Sequence, residues 1–442
     1  MMNMKKPLAL LLAAGLTLGL AACGNGNQGS SESPAAGGET GSGSSVELNL
    51  WSFNIGGFTD AAAWESIEAA FEEANPGVDL VVTPINYQDG DQKLTTAISS
   101  GTAPDIIFEG PERIVGNYAR NDLMVDLGDL WEANGSDIPE GLAGTAQLDG
   151  TYYFYPLSYA VHCMAINYEA FEAAGALQYI DDATRTWTTD NFVKAMEAVR
   201  DSGLVAVPGI VYCGGQGGDQ GTRALVNNLY SGTYTNADHT EYTANSTENV
   251  KALELIKSMV DNGSLNANAG FQAADELQQF ANGTAAVTFC WNASNKAQYA
   301  SQVAFTPYAM AFPSDDGKPE LCGGIWGFGI FDNGDDAKIE AAKDFIRYIC
   351  DDPEQAKESV QLTGFFPVRA SLGNVYEGTE TEADAAEFLT LMPYMGDYYN
   401  VIGGWTEQRT NWWNMLQKIL TGGVDAQTAA DEFVSASNAA IG

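Results

Sequence analysis

The sequence predicts an α/β fold built on a parallel sheet with helices on its faces. Three observations lead there. Residues 46–51, VELNLW, alternate apolar and polar side chains as a half-buried strand does. Trp64, Ile67 and Phe71 then recur at helical spacing until Asn75, Pro76 and Gly77 end the pattern. Two more apolar runs, 78–82 and 104–108, frame a short helix over 93–100 that turns Leu94 and Ile98 inward. Strands alternating with helices in this order pair in parallel through crossover helices. Ligands of such sheets lie beyond the carboxyl ends of the strands, so segments 52–60 and 109–113 are candidate binding loops.

The rest of the chain continues the alternation. Residues 152–166 form a long β-rich run interrupted by Pro156. A helix opens after the WTTD segment at 187–190, carries Phe192, Val193, Met196 and Val199, and stops at Gly203. Residues 204–212 read as a strand that enters a Gly-rich loop, GGQGGDQGTR. Helices follow over 251–260, 273–280, 337–349 and 353–363, with strands over 285–290 and 324–331. The section from Thr406 is helical and is broken at Gly422 and Gly423. No internal repeat of solenoid period is present.

Residues 46–442 are enough for two or three domains or lobes, and a 45% apolar composition can fill large cores. The formal net charge of −38 opposes nucleic acid and anionic lipid headgroups as partners. It fits a neutral or cationic ligand, although an acidic surface by itself names none. Only His162 and His239 are available, and no C-x-x-C occurs, which argues against a His/Cys metal site. No cofactor is expected. Cys163, Cys213, Cys290, Cys322 and Cys350 lie in apolar or Gly-rich runs and read mainly as small buried hydrophobes.

The first 45 residues read differently. Lys5 and Lys6 precede an apolar run, Leu8 to Leu20, which is shorter than the ~20 residues of a membrane span. Basic start, short apolar core and small residues before a cut are the parts of a secretory signal. The Leu-Ala-Ala-Cys ending at Cys23 resembles the lipobox of bacterial lipoproteins, in which that cysteine is lipidated. Residues 1–22 are thus expected to be a lipoprotein signal peptide, and 23–45 a Gly/Ser-rich tether. The resemblance implies a protein anchored by lipid to the outer face of the cytoplasmic membrane.

The ordered segments carry a second resemblance. They include LNLWSF, the helix ending FEEANPGV, KLTTAISSGTAPDIIF, YARNDLMVDLGDLW, YFYPLSYAVHCMAINYEAFEAAG, RTWTTDNFVKAMEAV, FANGTAAVTFCWNAS, and CGGIWGFGIF followed by AAKDFIRYICDDPEQ. Over nearly all of 46–442 the chain resembles the extracellular solute-binding proteins of ABC transporters, family 1, the carbohydrate-binding group that includes maltose-binding protein. The resemblance implies two α/β lobes of periplasmic-binding-protein type, joined by a three-crossover hinge, with a sugar in the cleft. The expected crossovers are 156–161, 285–288 and 331–334. The expected division is 46–156 in lobe 1, 157–288 in lobe 2, 289–331 returning to lobe 1 and 332–442 completing lobe 2. Ligand then favours the closed form, because only there does it touch both lobes. A monomeric receptor that hands a carbohydrate to ABC permease subunits is implied.

A sugar offers flat CH faces and a rim of hydroxyls, which aromatic platforms and planar polar side chains match. Trp51 ends the first strand, Trp291 follows the second expected crossover, and Trp326 lies in GGIWG. Trp405 and Trp412 occupy the last section, where the family places aromatic contacts. Trp64 and Trp131 read instead as core. In maltose-binding protein the loop matching FEGPERIVGNY carries an aromatic, an acid and an arginine that touch sugar. Here Glu112 and Arg113 match the acid and the arginine, and Glu109 replaces the aromatic, which implies a more polar subsite. The Gly-rich loop adds Gln216, Asp219, Gln220 and Arg223, and its glycines allow close backbone approach. Asn54 and His162 complete the set.

Two other readings compete. A binding protein of the same fold could take a polyamine or another cation, since aromatic boxes with carboxylates suit cations. A surface glycosidase would need two carboxylates from different elements, whereas Glu109 and Glu112 share one loop. No nucleophile motif supports an enzyme.

Overall fold

The computed structural model describes residues 45–87, 89–215, 220–396 and 401–441. Its largest sheet has six strands in the order 366–367, 155–161, 323–330, 106–109, 46–53 and 78–85. Val46–Phe53 pairs in parallel with both Val78–Ile85 and Ile106–Glu109, as the alternation predicts. Strand Gly323–Ile330 closes the other side and runs antiparallel to 106–109 and to 155–161. The helix Ala61–Ala74 buries Trp64, Ile67 and Phe71, and Asp60 caps it by accepting from the Ala62 N–H at 3.0 Å. Trp64 and Trp131 are core residues whose indole N–H groups reach the carbonyls of Phe58 and Phe154.

A second, three-stranded antiparallel sheet has the order 287–291, 163–167 and 307–310. The chain passes from the first sheet to the second at His162, between strands Tyr155–Val161 and Cys163–Asn167. It returns between Pro307–Met310 and Gly323–Ile330. The first expected crossover, 156–161, lies in a strand of the first sheet and ends one residue before that change. The other two lie away from it. Residues 287–291 lie inside the second sheet, and 331–334 join a strand and a helix of the first lobe.

The lobe boundaries are corrected accordingly. Strands 287–291 and 307–310 belong to the second lobe, so the return expected from 289 begins only with strand Gly323–Ile330. The helix Asp336–Asp351 packs on the large sheet, with Phe345 meeting Phe71 and Phe328 edge-on, so the first lobe extends past 332. The second lobe resumes with Glu382–Leu389, where Glu387 accepts from the Ala309 N–H at 2.8 Å, and ends in helices Trp405–Leu420 and Ala426–Ala439. Periodicity identifies an apolar face. It does not say which of two sheets that face will cover.

All five described cysteines are buried thiols without disulfides. Three of them, Cys163, Cys290 and Cys322, lie on the strands that carry the chain between lobes or directly beside them.

Candidate functional site

A cavity of about 440 Å³ lies between the lobes. The first lobe lines it with both expected loops, through Asn54, Ile55, Gly56 and Thr59, then Glu109, Gly110, Glu112 and Arg113. Asn86, Tyr87, Trp326 and Phe365 complete that wall. The second lobe contributes His162, Gln220, Gln272, Leu277, Cys290, Asn292, Asn295, Gln298, Tyr299, Trp405 and Arg409.

Two glycines bring the tryptophans there. The indole of Trp326 lies over Gly324, where a Cβ would fall 1.5 Å from the ring, so only glycine fits two residues before it on that face. Trp326 stacks on Phe365 with centroids 4.5 Å apart and donates through Nε1 to Tyr87 Oη at 3.3 Å. Gly404, at φ +71°, turns the chain into the last-lobe helix so that Trp405 is its first residue. Its Cβ would stand 3.0 Å from the Ala440 backbone.

The first-lobe wall is organised around Arg113. Its Nε and Nη2 donate to the two oxygens of Asp91 at 2.6 and 3.1 Å, and its Nη1 donates to Glu109. The other Glu109 oxygen accepts from Tyr87 Oη at 2.9 Å, and Tyr87 stacks on Phe53. Burial pushes the Asp91 carboxyl up, but Arg113 more than offsets this and holds it below the usual range. Glu109 is fully enclosed, and burial raises its carboxyl despite Arg113 and Tyr87. Glu112 is half-buried, folds back over Gly110, and is pushed up to about 7, first by burial and then by its neighbour Glu109. The Arg113 charge is thus spent on Asp91 and Glu109. Glu112, aromatic rings and side-chain amides line the rest of the cavity.

The candidate residues divide. Asn54, Glu109, Glu112, Arg113, His162, Gln220, Trp326 and Trp405 line the cavity. Trp51, Trp291, Trp412 and Arg223 do not. Trp51 packs against the first-lobe core from the strand face opposite Leu50 and Ser52. Trp291 has no exposed surface and meets Phe280 edge-on at 5.5 Å, while its neighbour Cys290 faces the cavity. Alternation along the strand sends the two side chains to opposite sides. Trp412 is enclosed by Tyr234 and Phe433 and donates to Thr222 Oγ1 at 2.9 Å. Two helical turns separate it from Trp405, yet the seven-residue offset and its apolar neighbours place it deeper in the lobe. Arg223 is buried between the Tyr234 and Trp405 rings. Gln216, Asp219 and Cys23 lie outside the described residues.

Sequence reasoning did not find Asp91, Tyr87, Arg409 or the amides Asn292, Asn295 and Gln298. Arg409 had a signal, since it stands one helical turn after Trp405 and shares its face. The three amides also sit on one short helix, Ala293–Tyr299, and its N-cap. Asp91 had none, because only the tertiary fold brings its helix to Arg113. Among the described residues no cluster of three His, Cys, Asp or Glu side chains could hold a metal.

Glu276 lies just behind the second-lobe wall, on the helix that supplies Ala273, Ala274 and Leu277 to the cavity. It is fully buried and accepts from Thr288 Oγ1 at 2.7 Å and from the Phe289 N–H at 3.2 Å. Burial pushes its carboxyl up to about 8. A carboxyl raised on folding binds its proton more tightly in the native state, so stability is full at pH below the unfolded value and falls as pH rises toward 8. Glu276→Gln should therefore match the wild type at pH 5 and exceed it at pH 8 by on the order of 2 kcal/mol. Urea melts at the two pH values check this, and an equal offset at both would contradict it.

Residues 67–390 match the family of bacterial extracellular solute-binding proteins. The chain belongs to this family. It is a family of binding proteins rather than enzymes. Among curated relatives, the diacetylchitobiose-binding protein of Streptomyces coelicolor is 28% identical over 171 residues, which cover 39% of this chain and 38% of that protein. A second relative, from Brucella abortus, is 31% identical over 114 residues, 25% of this chain and 27% of its own length. These matches therefore span well under half of the relatives. Solved structures agree over almost the whole length. An ABC substrate-binding protein from Listeria monocytogenes in complex with cycloalternan superposes with a TM-score of 0.72 at 21% identity, covering 89% of this chain and 98% of that one. A solute-binding protein from Thermotoga lettingae bound with alpha-D-tagatose gives 0.73 at 18% identity, over 90% and 100%. Maltose-bound MalE3 of Thermotoga maritima gives 0.71 at 17%, over 89% and 99%. At such identities the likeness is one of fold, and it is the two-lobed fold of solute-binding proteins.

Proposed function

We propose that this solute-binding protein is the lipid-anchored receptor of an ABC importer, and that it captures a sugar or oligosaccharide between its lobes for delivery to the permease. The observation that carries the reading is the cavity wall. Trp326 and Trp405 line it from opposite lobes together with several side-chain amides, and the Arg113 charge is taken up by Asp91 and Glu109. With Asp91 and Glu109 engaged by Arg113 and Glu112 pushed up to about 7, such a lining suits a neutral ligand with flat CH faces and many hydroxyls better than a cation. Asn54, Glu112, His162 and Gln220 are proposed as its hydrogen-bonding partners, with Glu109 and Arg113 setting the wall behind them. Four of the proteins named above support this reading, since their names or complexes carry diacetylchitobiose, cycloalternan, alpha-D-tagatose or maltose.

A thermal-shift screen of mono- and oligosaccharides, with spermidine and putrescine included, tests the ligand class. One sugar class should raise the melting temperature, by about 2.7 kcal/mol of stabilisation at a hundredfold excess over Kd. A shift with the polyamines alone would overturn the reading. Deleting the gene should abolish uptake of the sugar class that binds.

The anchor is proposed from residues 5–23 and acts separately from the fold. The receptor is proposed to be a monomer on the outer face of the cytoplasmic membrane. Cys23→Ala should yield a folded, ligand-binding protein that is unprocessed or released from membranes. Continued stable lipid anchoring of that variant, read by metabolic labelling with a fatty acid, would remove the lipobox from the account.

A further inference from the structure

The lobes touch on both flanks of the cavity. On one flank the Ala293–Tyr299 helix of the second lobe packs against residues 56–59 of the first. On the other, Arg409 Nη1 of the second lobe stands 3.8 Å from Asp91 Oδ2 of the first. Arg120 of the first lobe donates through Nη2 and Nε to the Val401 carbonyl at 2.7 and 3.2 Å. The segment after Val401 is anchored in the second lobe, where Tyr242 Oη donates to the Gly403 carbonyl at 2.9 Å.

The charges explain why Arg409 matters most. The first-lobe wall sets two carboxylates, Asp91 and Glu109, against the single guanidinium of Arg113. That leaves one negative charge in excess at a site of low exposure. Arg409, itself almost fully buried, faces both carboxylates from across the cleft and supplies the compensating charge. Arg113 meanwhile fixes the Asp91 carboxylate in place by two bonds, so little side-chain freedom remains to be lost when the lobes meet.

We propose that Asp91 and Arg409 form an ion-pair latch that biases the two lobes toward closure, and that Arg113 is the positioning residue that holds Asp91 ready for it. Opening separates the pair and gives each partner to water. The latch therefore acts in the absence of solute and sets how much of the binding free energy is needed for closing. It acts for whichever solute the cavity takes, so it stands apart from the carbohydrate reading.

Small-angle X-ray scattering of the full chain without any added sugar tests this, from about 0.05 to about 1 M sodium chloride. The wild-type radius of gyration should grow with salt as the pair is screened. Arg409→Gln should already be expanded at low salt, with an open-to-closed ratio raised roughly fivefold, and should respond little to salt. Asp91→Asn, which keeps a polar partner for Arg113, should behave the same way. Arg409→Lys keeps the charge and should retain most of the salt dependence. A role confined to packing would change melting temperature and leave the salt response intact. If Arg409→Gln and Asp91→Asn, both folded, scatter like the wild type at every salt concentration, the latch is overturned.

Discussion

Arg113→Met should lower the stability of the protein by about 3–5 kcal/mol near neutral pH. The substitution keeps much of the side-chain volume and removes the guanidinium that pairs with Asp91 and Glu109. Glu109 is buried and would keep the Tyr87 hydrogen bond, and both carboxylates would face the more distant Arg409. An unpaired buried carboxylate is far more costly than the pair was favourable. The pH dependence supplies the signature. Without Arg113 both carboxyls have folded values raised above their unfolded ones, so the native state gains protons and stability falls as pH rises. The deficit should therefore shrink toward pH 5, where the carboxyls take up protons, and be fully developed at pH 7.5. Guanidinium melts at those two values measure it. A deficit that is constant with pH would mean that lost packing, not stranded charge, is the cause. Sugar affinity should fall as well, because the wall that carries Tyr87 and Trp326 is organised around this residue.

Trp291→Ala is expected to have an effect of similar size and of a different kind. The side chain is fully enclosed against Phe280 in the second-lobe core, and its truncation should cost about 3–5 kcal/mol through lost burial and a residual cavity. Sugar affinity measured well below the melting temperature should change little, since Trp291 does not line the cavity. Trp291→Phe should be much milder, because among the described residues the indole N–H has no hydrogen-bond partner to lose. Calorimetric titration beside chemical denaturation separates the two possibilities. A large loss of affinity at native stability would return Trp291 to the binding wall, where its place in the sequence had suggested it.

The contrast between Trp291 and Trp405 marks what the sequence could and could not say. The first follows an expected crossover, and the second lies in the last section, where the family places aromatic contacts. Strand alternation turns Trp291 inward while Cys290 takes the cavity side, and the register shift next to it hides that parity from the sequence. Trp405 faces the cavity because a left-handed Gly404 sets the start of its helix. Trp412, on the same helix, goes to the core.

The sequence by itself determined the parallel βαβαβ start, the helix faced by Trp64, Ile67 and Phe71, the two first-lobe loops that reach the cavity, and the family. These follow from short-range periodicity, turn residues and the order of segments along the chain. The assignment of later segments to lobes was decided only by the tertiary structure. So was the meeting of Asp91 with Arg113, which are 22 residues apart, and of Asp91 with Arg409 on the other lobe. The physical reason is the same in each case. An apolar face or a charged side chain states what it must bury or pair with, and any of several distant partners would satisfy it. The choice among them is made by the packing of the two sheets, which no local pattern encodes.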